Sequence, residues 1–378
     1  MDIKSSFAKT KNICFVLPTF NEEANIRQCI ESVFALQESN QYLFKVLVVD
    51  DNSADETQKI VIDLQDRYSD LYMITGEKKG LGDAYKRGFD YCLHKLNPEV
   101  IFQMDADGQH DPSLIPEFLK LMDKSNDLVI GSRFVEGGST PDFSFRRKLI
   151  SRVGNTLVRF VGGARHIKDC TSGYRAIRAN FLRDCDLSFL STRGYSFQSS
   201  LLCELIWRGA KSAEIPIKFT PRIGGDSKLS LRDQIEFIFN IPKLGFRNAE
   251  DFIKYSIVGF SGVIVNLGLY AILTRVFGFS EIIAPLISIE TSLLTNFLLN
   301  NFWTFKKREI KSSPYKRFLQ FHIASGGAAC FNYLTFLITF AILGLHDILA
   351  NLIGIGVAAI LNYLINSNWT WRKEHGRH

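Results

Sequence analysis

Four long apolar runs in the last third of the chain limit its fold more than any other feature. No residue between Lys254 and Arg275 is charged, and the run 282–305 carries only Glu290. The runs 318–346 and 348–371 contain no Asp, Glu, Lys or Arg. Each run is long enough to cross about 30 Å of hydrocarbon as a helix. Four such runs in succession are unusual for a water-soluble fold, so the sequence predicts four transmembrane helices.

Basic residues are concentrated at one end of these predicted helices. The link between the second and third runs contains Lys306, Arg308, Lys316 and Arg317, and another basic cluster follows the fourth run. The turns at the opposite ends are poor in Lys and Arg. The positive-inside rule therefore predicts an integral protein of the cell membrane whose N-terminal region, central link and C-terminus are cytoplasmic.

The apolar region is also an internal repeat. A shift of 66 residues aligns it with itself without a gap, so that Asn266 falls on Asn332, Asn296 on Asn362, Asn300 on Asn366 and Trp303 on Trp369. This predicts two tandem helical hairpins that enter the membrane from the same side. The Asn side chains should hydrogen-bond between helices or to a lipid headgroup. Glu290 has Gly356 as its counterpart, and contact with lipid, contact with a second subunit or an interfacial position all stay open.

Cysteine usage and the first residues indicate where the rest of the chain resides. The seven cysteines lie singly, without a Cys-x-x-Cys pair, which fits a reducing cytosol. Residues 1–11 are polar and lack the apolar stretch of a signal peptide. We therefore expect the N-terminal region not to be exported.

The N-terminal region alternates apolar strands with helical patterns. Strands are predicted at 12–18, 44–50 and 100–105, and the last two end in acidic residues. Near-continuous apolar strands alternating with helices are typical of an α/β domain with a mostly parallel sheet covered on both faces. Ligands of such sheets bind beyond the carboxyl ends of the strands.

Two carboxylates and an amide follow the third of these strands. Asp105 and Asp107 are two residues apart, and Gln109 offers a further oxygen. Mg²⁺ or Mn²⁺ suits this ligand set, with diphosphate oxygens completing the shell. The chain lacks the glycine-lysine loop of P-loop nucleotide hydrolases and the Gly-x-Gly-x-x-Gly turn of dinucleotide enzymes. Gly80 would instead permit close approach of the backbone to a nucleotide.

Two segments combine basic and apolar residues at helical spacing. The stretch 143–161 alternates five Lys or Arg residues with Phe145, Leu149, Val153 and Phe160, among others. The stretch 229–246 is a second candidate and leads into the first apolar run. Both patterns are typical of helices that lie at an anionic membrane surface.

Taken together, these motifs resemble the dolichol-phosphate mannosyltransferase branch of the family 2 glycosyltransferases, which has a GT-A (Rossmann-like) fold. The resemblance covers nearly the whole chain and rests on segments 18–22, 49–51, 80–81, 104–110, 131–134, 147–151, 169–175, 194–198 and 222–229. The duplicated four-helix region is similar to the membrane domain of the archaeal and bacterial members. One departure is Ser200, because a carboxylate usually stands two places after the Phe-Gln motif that ends at Gln198.

The resemblance implies a role for each matching residue. It implies that the nucleotide-sugar donor is bound by residues along five segments, namely Pro18, Thr19, Glu22, Asp51, Gly80, Asp105, Ala106, Arg222 and Lys228. Metal would be held by Asp105, Asp107 and Gln109, and the lipid phosphate by Arg147 and Ser151. Catalysis would depend on Asp107, Arg133 and Arg147.

The resemblance also implies the reaction, which is inverting transfer of a hexose to polyprenyl or dolichyl phosphate. GDP-mannose is the expected donor, with UDP-glucose or another UDP-sugar as the closest alternative. A translocator of lipid-linked sugars, or a membrane scaffold, is the alternative from another class. Nucleic acid is not an expected partner, and a homo-oligomer is left open. The expected domains are a catalytic domain at 1–228, interfacial amphipathic helices at 229–250 and a membrane domain at 251–378.

Overall fold

The computed structural model describes residues 11–37, 42–141, 143–185, 187, 190, 194–219, 231–306, 308, 310 and 312–372. The chain separates into two compact units, residues 1–248 and 249–378.

The first unit is built on a single sheet. Seven strands in the described part of this unit form it in the order β3-β2-β1-β4-β6-β5-β7. Only β6 runs antiparallel to its neighbours, β4 and β5. The prediction of a mostly parallel sheet is therefore confirmed. The strands are β1 (Lys11–Thr19), β2 (Tyr42–Asp50), β3 (Leu71–Thr75), β4 (Val100–Gln103), β5 (Leu128–Ser132), β6 (Arg175–Arg178) and β7 (Ser212–Pro216).

Helices cover both faces of this sheet. They are α1 (Ile26–Ala35), α2 (Thr57–Gln65), α3 (Leu81–Tyr91), α4 (Ile115–Asp123), α5 (Phe145–Val161), α6 (Ala179–Arg183), α7 (Gly194–Trp207) and α8 (Leu231–Asn248). Successive strand residues point to opposite faces, so Phe15 and Phe102 join one buried cluster while Val16 and Ile101 join the other. This two-sided burial explains why the strands are apolar throughout.

The strand register gathers the carboxyl ends at one edge. Thr19 of β1 pairs with Asp50 of β2, and Val16 pairs with Gln103 of β4. The loops that follow β1, β2 and β4 therefore start side by side. They carry Glu22, Asp51 and Asp105, respectively.

Helices α5 and α8 expose apolar side chains. α5 begins two residues later than the predicted helix, where the Ser144 hydroxyl accepts a hydrogen bond from the Arg147 amide (3.3 Å). Phe145 is 83% exposed and Phe160 is 60% exposed. Phe239 and Phe246 of α8 are also exposed. Within the first unit α8 packs against α5 and α7.

The second unit contains four helices in its described residues that are long and apolar enough to span a membrane. They are α9 (Glu250–Arg275), α10 (Ile283–Leu299), α11 (Pro314–Leu337) and α12 (Asp347–Ile365). π-helical turns extend α10 to Thr304, α11 to Ile342 and α12 to Thr370. The prediction of four transmembrane helices is confirmed.

The repeat in the sequence is also a repeat in the structure. Positions 66 residues apart share their burial, since Ala284 and Ala350 are both fully buried and Asn300 and Asn366 are 2% and 0% exposed. Some Asn side chains do bond between helices, because Asn266 Oδ1 accepts from the Ser288 hydroxyl (2.7 Å). Glu290 lies 3.1 Å from Nε2 of His322, a contact that the sequence did not predict.

Candidate active site

The Asp105–Asp107 segment leaves β4 at the carboxyl edge of the sheet. The Asp105 side chain is 31% exposed, whereas Asp107 and the intervening Ala106 are buried. Asp107 Oδ1 accepts from the Gln109 amide (3.1 Å), which curls the loop around that carboxylate. In the described residues no group of three His, Cys, Asp or Glu side chains converges on one point. Two carboxylates from one loop nevertheless fit Mg²⁺ or Mn²⁺, because such ions retain places for substrate phosphate oxygens.

Two residues that the sequence did not single out orient Asp105. The Tyr85 hydroxyl, from α3, donates to Asp105 Oδ1 (3.0 Å). The Asp105 amide donates to Nδ1 of His110 (2.8 Å), and the imidazole stacks on Tyr174 with 4.8 Å between ring centroids. Burial and the neighbouring Asp105 carboxylate raise the pKa of Tyr85 well above its ordinary value, so its hydroxyl stays protonated and able to donate.

The residues expected to hold the nucleotide lie at the ends of β1 and β2. Pro18 is half-buried, and the Thr19 hydroxyl donates to Asp50 Oδ2 (2.8 Å). The Glu22 carboxylate accepts from the side-chain amide of Asn25 (3.2 Å). Asp51 forms an ion pair with Arg87 of α3. Burial raises the pKa of Asp51, and the charge of Arg87 only partly offsets this effect.

Gly80 stands at the start of α3, next to this edge. Its φ of 117° and ψ of 160° are accessible to glycine and to hardly any other residue. The backbone at this position therefore favours glycine. The close approach of this backbone to a nucleotide stays a prediction.

Arg133 is tied into a buried ion pair. Its Nε lies 2.7 Å from Asp169 Oδ2, and its Nη2 lies 2.8 Å from Asp169 Oδ1 and 2.7 Å from the Thr171 hydroxyl. Asp169 is fully buried, and although burial acts against its charge, Arg133 holds the pKa of Asp169 below its ordinary value. Arg133 thus holds the 169–173 loop in place.

Arg147 and Ser151 lie in the first two turns of α5. Both side chains are half-buried, and the Arg147 guanidinium lies 3.9 Å from the centre of the Phe143 ring. One turn further on, Asn155 Oδ1 accepts from the Cys170 amide (2.6 Å). This bond connects α5 to the loop that Arg133 and Asp169 hold. Arg222 and Lys228 lie outside the described residues.

A second buried polar group lies beside Asp105. A Cβ added to Gly173 would be 3.2 Å from Gln198 Nε2 and 3.5 Å from Asp105 Oδ2. Gln198 is 3% exposed, and neither heteroatom of its amide has a hydrogen-bond partner among the described residues. Its α7 backbone is held by Arg175, which donates to the carbonyls of Gln198 (2.7 Å) and Cys170 (3.0 Å).

The structure accounts for the departure at Ser200. Its hydroxyl accepts from the amide of Asn240 in α8 (2.8 Å), so a neutral contact occupies this position. Arg175 is held by two backbone carbonyls, while its Nε has no hydrogen-bond partner among the described residues. Burial lowers the pKa of Arg175 to about 10, which leaves it charged at neutral pH.

Comparisons with known proteins agree with this architecture. Residues 14–185 match the model of glycosyl transferase family 2, and residues 254–371 match the GtrA/DPMS transmembrane domain. The chain is 33% identical over 365 residues to a dolichol-phosphate mannosyltransferase of Pyrococcus furiosus, covering 95% of this chain and 99% of that one.

Two bacterial proteins are similar over the first unit. A polyprenol monophosphomannose synthase of Mycolicibacterium smegmatis is 36% identical, with 64% of this chain and 90% of that one covered. An undecaprenyl-phosphate mannosyltransferase of Micrococcus luteus is 35% identical, with 61% and 92% covered. The chain is therefore a glycosyltransferase that belongs to the dolichol-phosphate mannosyltransferase branch of family 2, with a GtrA/DPMS membrane domain as its second unit.

Proposed function

We propose that this enzyme transfers mannose from GDP-mannose to the phosphate of a polyprenyl or dolichyl lipid at the cytoplasmic face of the cell membrane. The observation that carries the proposal is the Asp105–Asp107 loop at the carboxyl edge of the sheet, with Asp51 following the strand two places along. This edge would hold the diphosphate at one end and the nucleoside at the other. Mannose and a polyprenyl phosphate are proposed because the similar proteins are named as mannosyltransferases that act on such lipids.

A lipid phosphate needs no base to activate it. Its second pKa is about 6, so it carries a nucleophilic charge near neutral pH. Its oxygen would attack the anomeric carbon in line with the departing diphosphate and invert the configuration. The Arg147 guanidinium, half-buried at the start of α5, suits the acceptor phosphate because its planar fork makes paired hydrogen bonds.

A divalent cation, Mg²⁺ or Mn²⁺, would be held by Asp105 and Asp107, with Gln109 nearby. When bound it would neutralise charge on the departing nucleoside diphosphate. Tyr85 and His110 would keep Asp105 in position for this contact, since both hydrogen-bond to it. Arg133 would act chiefly by fixing the loop that carries Gly173.

The exposed apolar side chains of α5 and α8 support a membrane-surface location for the catalytic unit. Arg146 and Arg152 on α5 lie among Phe145, Leu149 and Val153, all of which are exposed. A helix of this kind inserts its apolar face at the level of lipid headgroups. The basic residues that link the two hairpins support the proposed cytoplasmic orientation, because Lys and Arg are enriched in cytoplasmic loops.

The proposal is tested with purified protein, Mn²⁺, polyprenyl phosphate and radiolabelled GDP-mannose, UDP-glucose and other nucleotide-sugars. Label should enter the lipid phase from GDP-mannose. Asp107→Asn should abolish transfer while the protein keeps its unfolding temperature. Asp66→Asn, which changes an exposed carboxylate at the end of α2, is the matched control. Undiminished transfer by Asp107→Asn would refute the metal role, and label only from a UDP-sugar would refute the donor.

A further inference from the structure

Gln198 is a buried amide in the wall of the candidate active site. It lies in the first turns of α7 and is 3% exposed. A Cβ added to Gly173 would lie 3.2 Å from Gln198 Nε2 and 3.5 Å from Asp105 Oδ2. Because residue 173 is a glycine, the amide and the carboxylate border one small space. Gly173 is half-buried and the Asp105 side chain is 31% exposed, so the edge of this space is accessible to solvent.

The helix that carries Gln198 is held firmly at this point. Arg175 donates to the backbone carbonyl of Gln198 (2.7 Å). The preceding residue, Phe197, stacks on Tyr85 with 5.7 Å between ring centroids, and the Tyr85 hydroxyl donates to Asp105. The amide is therefore carried by a fixed backbone that also supports the side chain orienting Asp105.

The amide of Gln198 itself is unpartnered. Neither its Nε2 nor its Oε1 has a hydrogen-bond partner in the ranges that the structure describes. Such an amide offers two donor hydrogens and an acceptor oxygen. Buried groups of this kind are nearly always partnered in native proteins, and an exception costs stability. Proteins keep exceptions of this kind at functional sites. The position beside Asp105 therefore indicates that a substrate group completes the amide.

We infer that Gln198 is a specificity-determining residue that hydrogen-bonds a hydroxyl of the transferred hexose. This inference rests on the proposed function. The hexose is joined to the diphosphate that would be held at Asp105 and Asp107, so its ring must lie close to Asp105. A hydroxyl can accept from Nε2 and donate to Oε1 or to Asp105 Oδ2. An ionised lipid phosphate only accepts and would leave Oε1 unpartnered, so the chemistry favours the sugar.

The test uses nucleotide-sugars that lack one hydroxyl. kcat/KM is measured with polyprenyl phosphate for the donor that the wild type uses and for its four analogues deoxygenated at carbon 2, 3, 4 or 6. A site built to hydrogen-bond a hydroxyl rejects the analogue that lacks it. We expect one analogue to be used about tenfold less well than the parent, or worse, as the loss of a neutral hydrogen bond requires. Ratios are compared between enzyme variants, because the intrinsic reactivity of each analogue then cancels.

The variants separate the amide from the helix that carries it. Gln198→Met keeps the length of the side chain and removes its donor and its acceptor. The penalty for the one affected analogue should fall to about threefold or less, while the other three ratios stay at their wild-type values. Ser200→Ala, the control, removes the α7 hydroxyl that accepts from Asn240 and should keep all four ratios. The unfolding temperature without donor should not fall in Gln198→Met, since this amide has no partner to lose.

The contrary outcomes are distinct. A wild type that uses all four analogues within about threefold of the parent would overturn the inference without any variant. So would a penalty that survives in Gln198→Met, because another group then reads the hydroxyl. A higher KM for polyprenyl phosphate with unchanged ratios would assign the amide to the acceptor and overturn the sugar contact. Absence of transfer from every nucleotide-sugar would refute the proposed function and the inference with it, whereas transfer with unchanged ratios refutes only the contact of Gln198.

Discussion

Asp169 offers the sharpest test of how the active-site loop is held. The change Asp169→Asn keeps the size of the side chain and removes its charge. Asp169 is fully buried, and Arg133, its partner, is 5% exposed. The substitution therefore removes the fully buried carboxylate that pairs with this guanidinium, while the Thr171 hydroxyl remains as one of its acceptors.

The expected loss of stability follows from that burial. Removing one member of a buried ion pair costs about 3 kcal/mol or more, because the remaining charge stays desolvated. For a unit of this size, about 3 kcal/mol lowers the unfolding temperature by about 6–12 °C. The double variant Arg133→Met, Asp169→Asn also removes the guanidinium and keeps an oxygen that can accept from the backbone amides of Arg133, Thr171 and Ser172, so it should be more stable than Asp169→Asn.

A thiol-reactive fluorescent dye measures this unfolding in detergent. Cys14, Cys92, Cys170 and Cys203 are buried in the first unit, so their reaction with the dye reports its opening. Cys330 is exposed in the second unit and should be replaced by Ser beforehand. A shift below about 2 °C for Asp169→Asn, or a double variant less stable than the single one, would refute the reasoning, since both contradict a cost that arises from breaking a buried ion pair.

Three further predictions concern the same unit. Gly80→Ala should cost about 1–3 kcal/mol because φ and ψ at this position strain any side chain, whereas Gly268→Ala, with nothing within 4 Å, should not destabilise. Tyr85→Phe should raise the Mn²⁺ concentration for half-maximal activity about tenfold without changing kcat at saturation. An unchanged Mn²⁺ requirement would contradict the role of the Tyr85 hydroxyl. Tyr91→Phe is the control. The pKa of Asp169 is lower in the folded state, so its stabilising effect is present above about pH 4 and lost as pH falls further; thermal unfolding against pH should show this loss in the wild type but not in Asp169→Asn.

The sequence predicted the elements of the fold well because their signals are local. The apolar strands and uncharged helices follow from burial on both faces and from the thickness of a membrane. The antiparallel β6 could not be predicted, since Arg175–Arg178 is only four residues long and its direction depends on β4 and β5. Nor could the sequence show that α8 packs on α5, because that contact depends on Gly154 meeting the Phe237 ring.

The same distinction between local sequence signals and contacts made by the fold applies to the residues of the site. The acids at the carboxyl edge could be located because strand ends carry a recognisable pattern. Tyr85 and Arg87 could not, since they lie on a helix whose apolar spacing gives no sign of what its polar residues face. In the sequence Asp169 appeared only as part of the segment 169–175. Its ion pair with Arg133, 36 positions earlier, depends on the fold and could not be predicted.

The arrangement around His110 argues for a reaction without an enzymic base. Its Nδ1 already accepts from the Asp105 amide, and the buried ring is stacked on Tyr174. Nearby α7 presents the neutral Gln198 and the hydrogen-bonded Ser200. If the nucleophile is a phosphate with a second pKa of about 6, transfer at subsaturating acceptor should rise as pH passes about 6 and then stay level through pH 8. His110→Gln should lower the rate without moving that inflection, because the titrating group belongs to the lipid. An inflection that disappears in His110→Gln would show that the histidine takes the proton and that the charged nucleophile is insufficient.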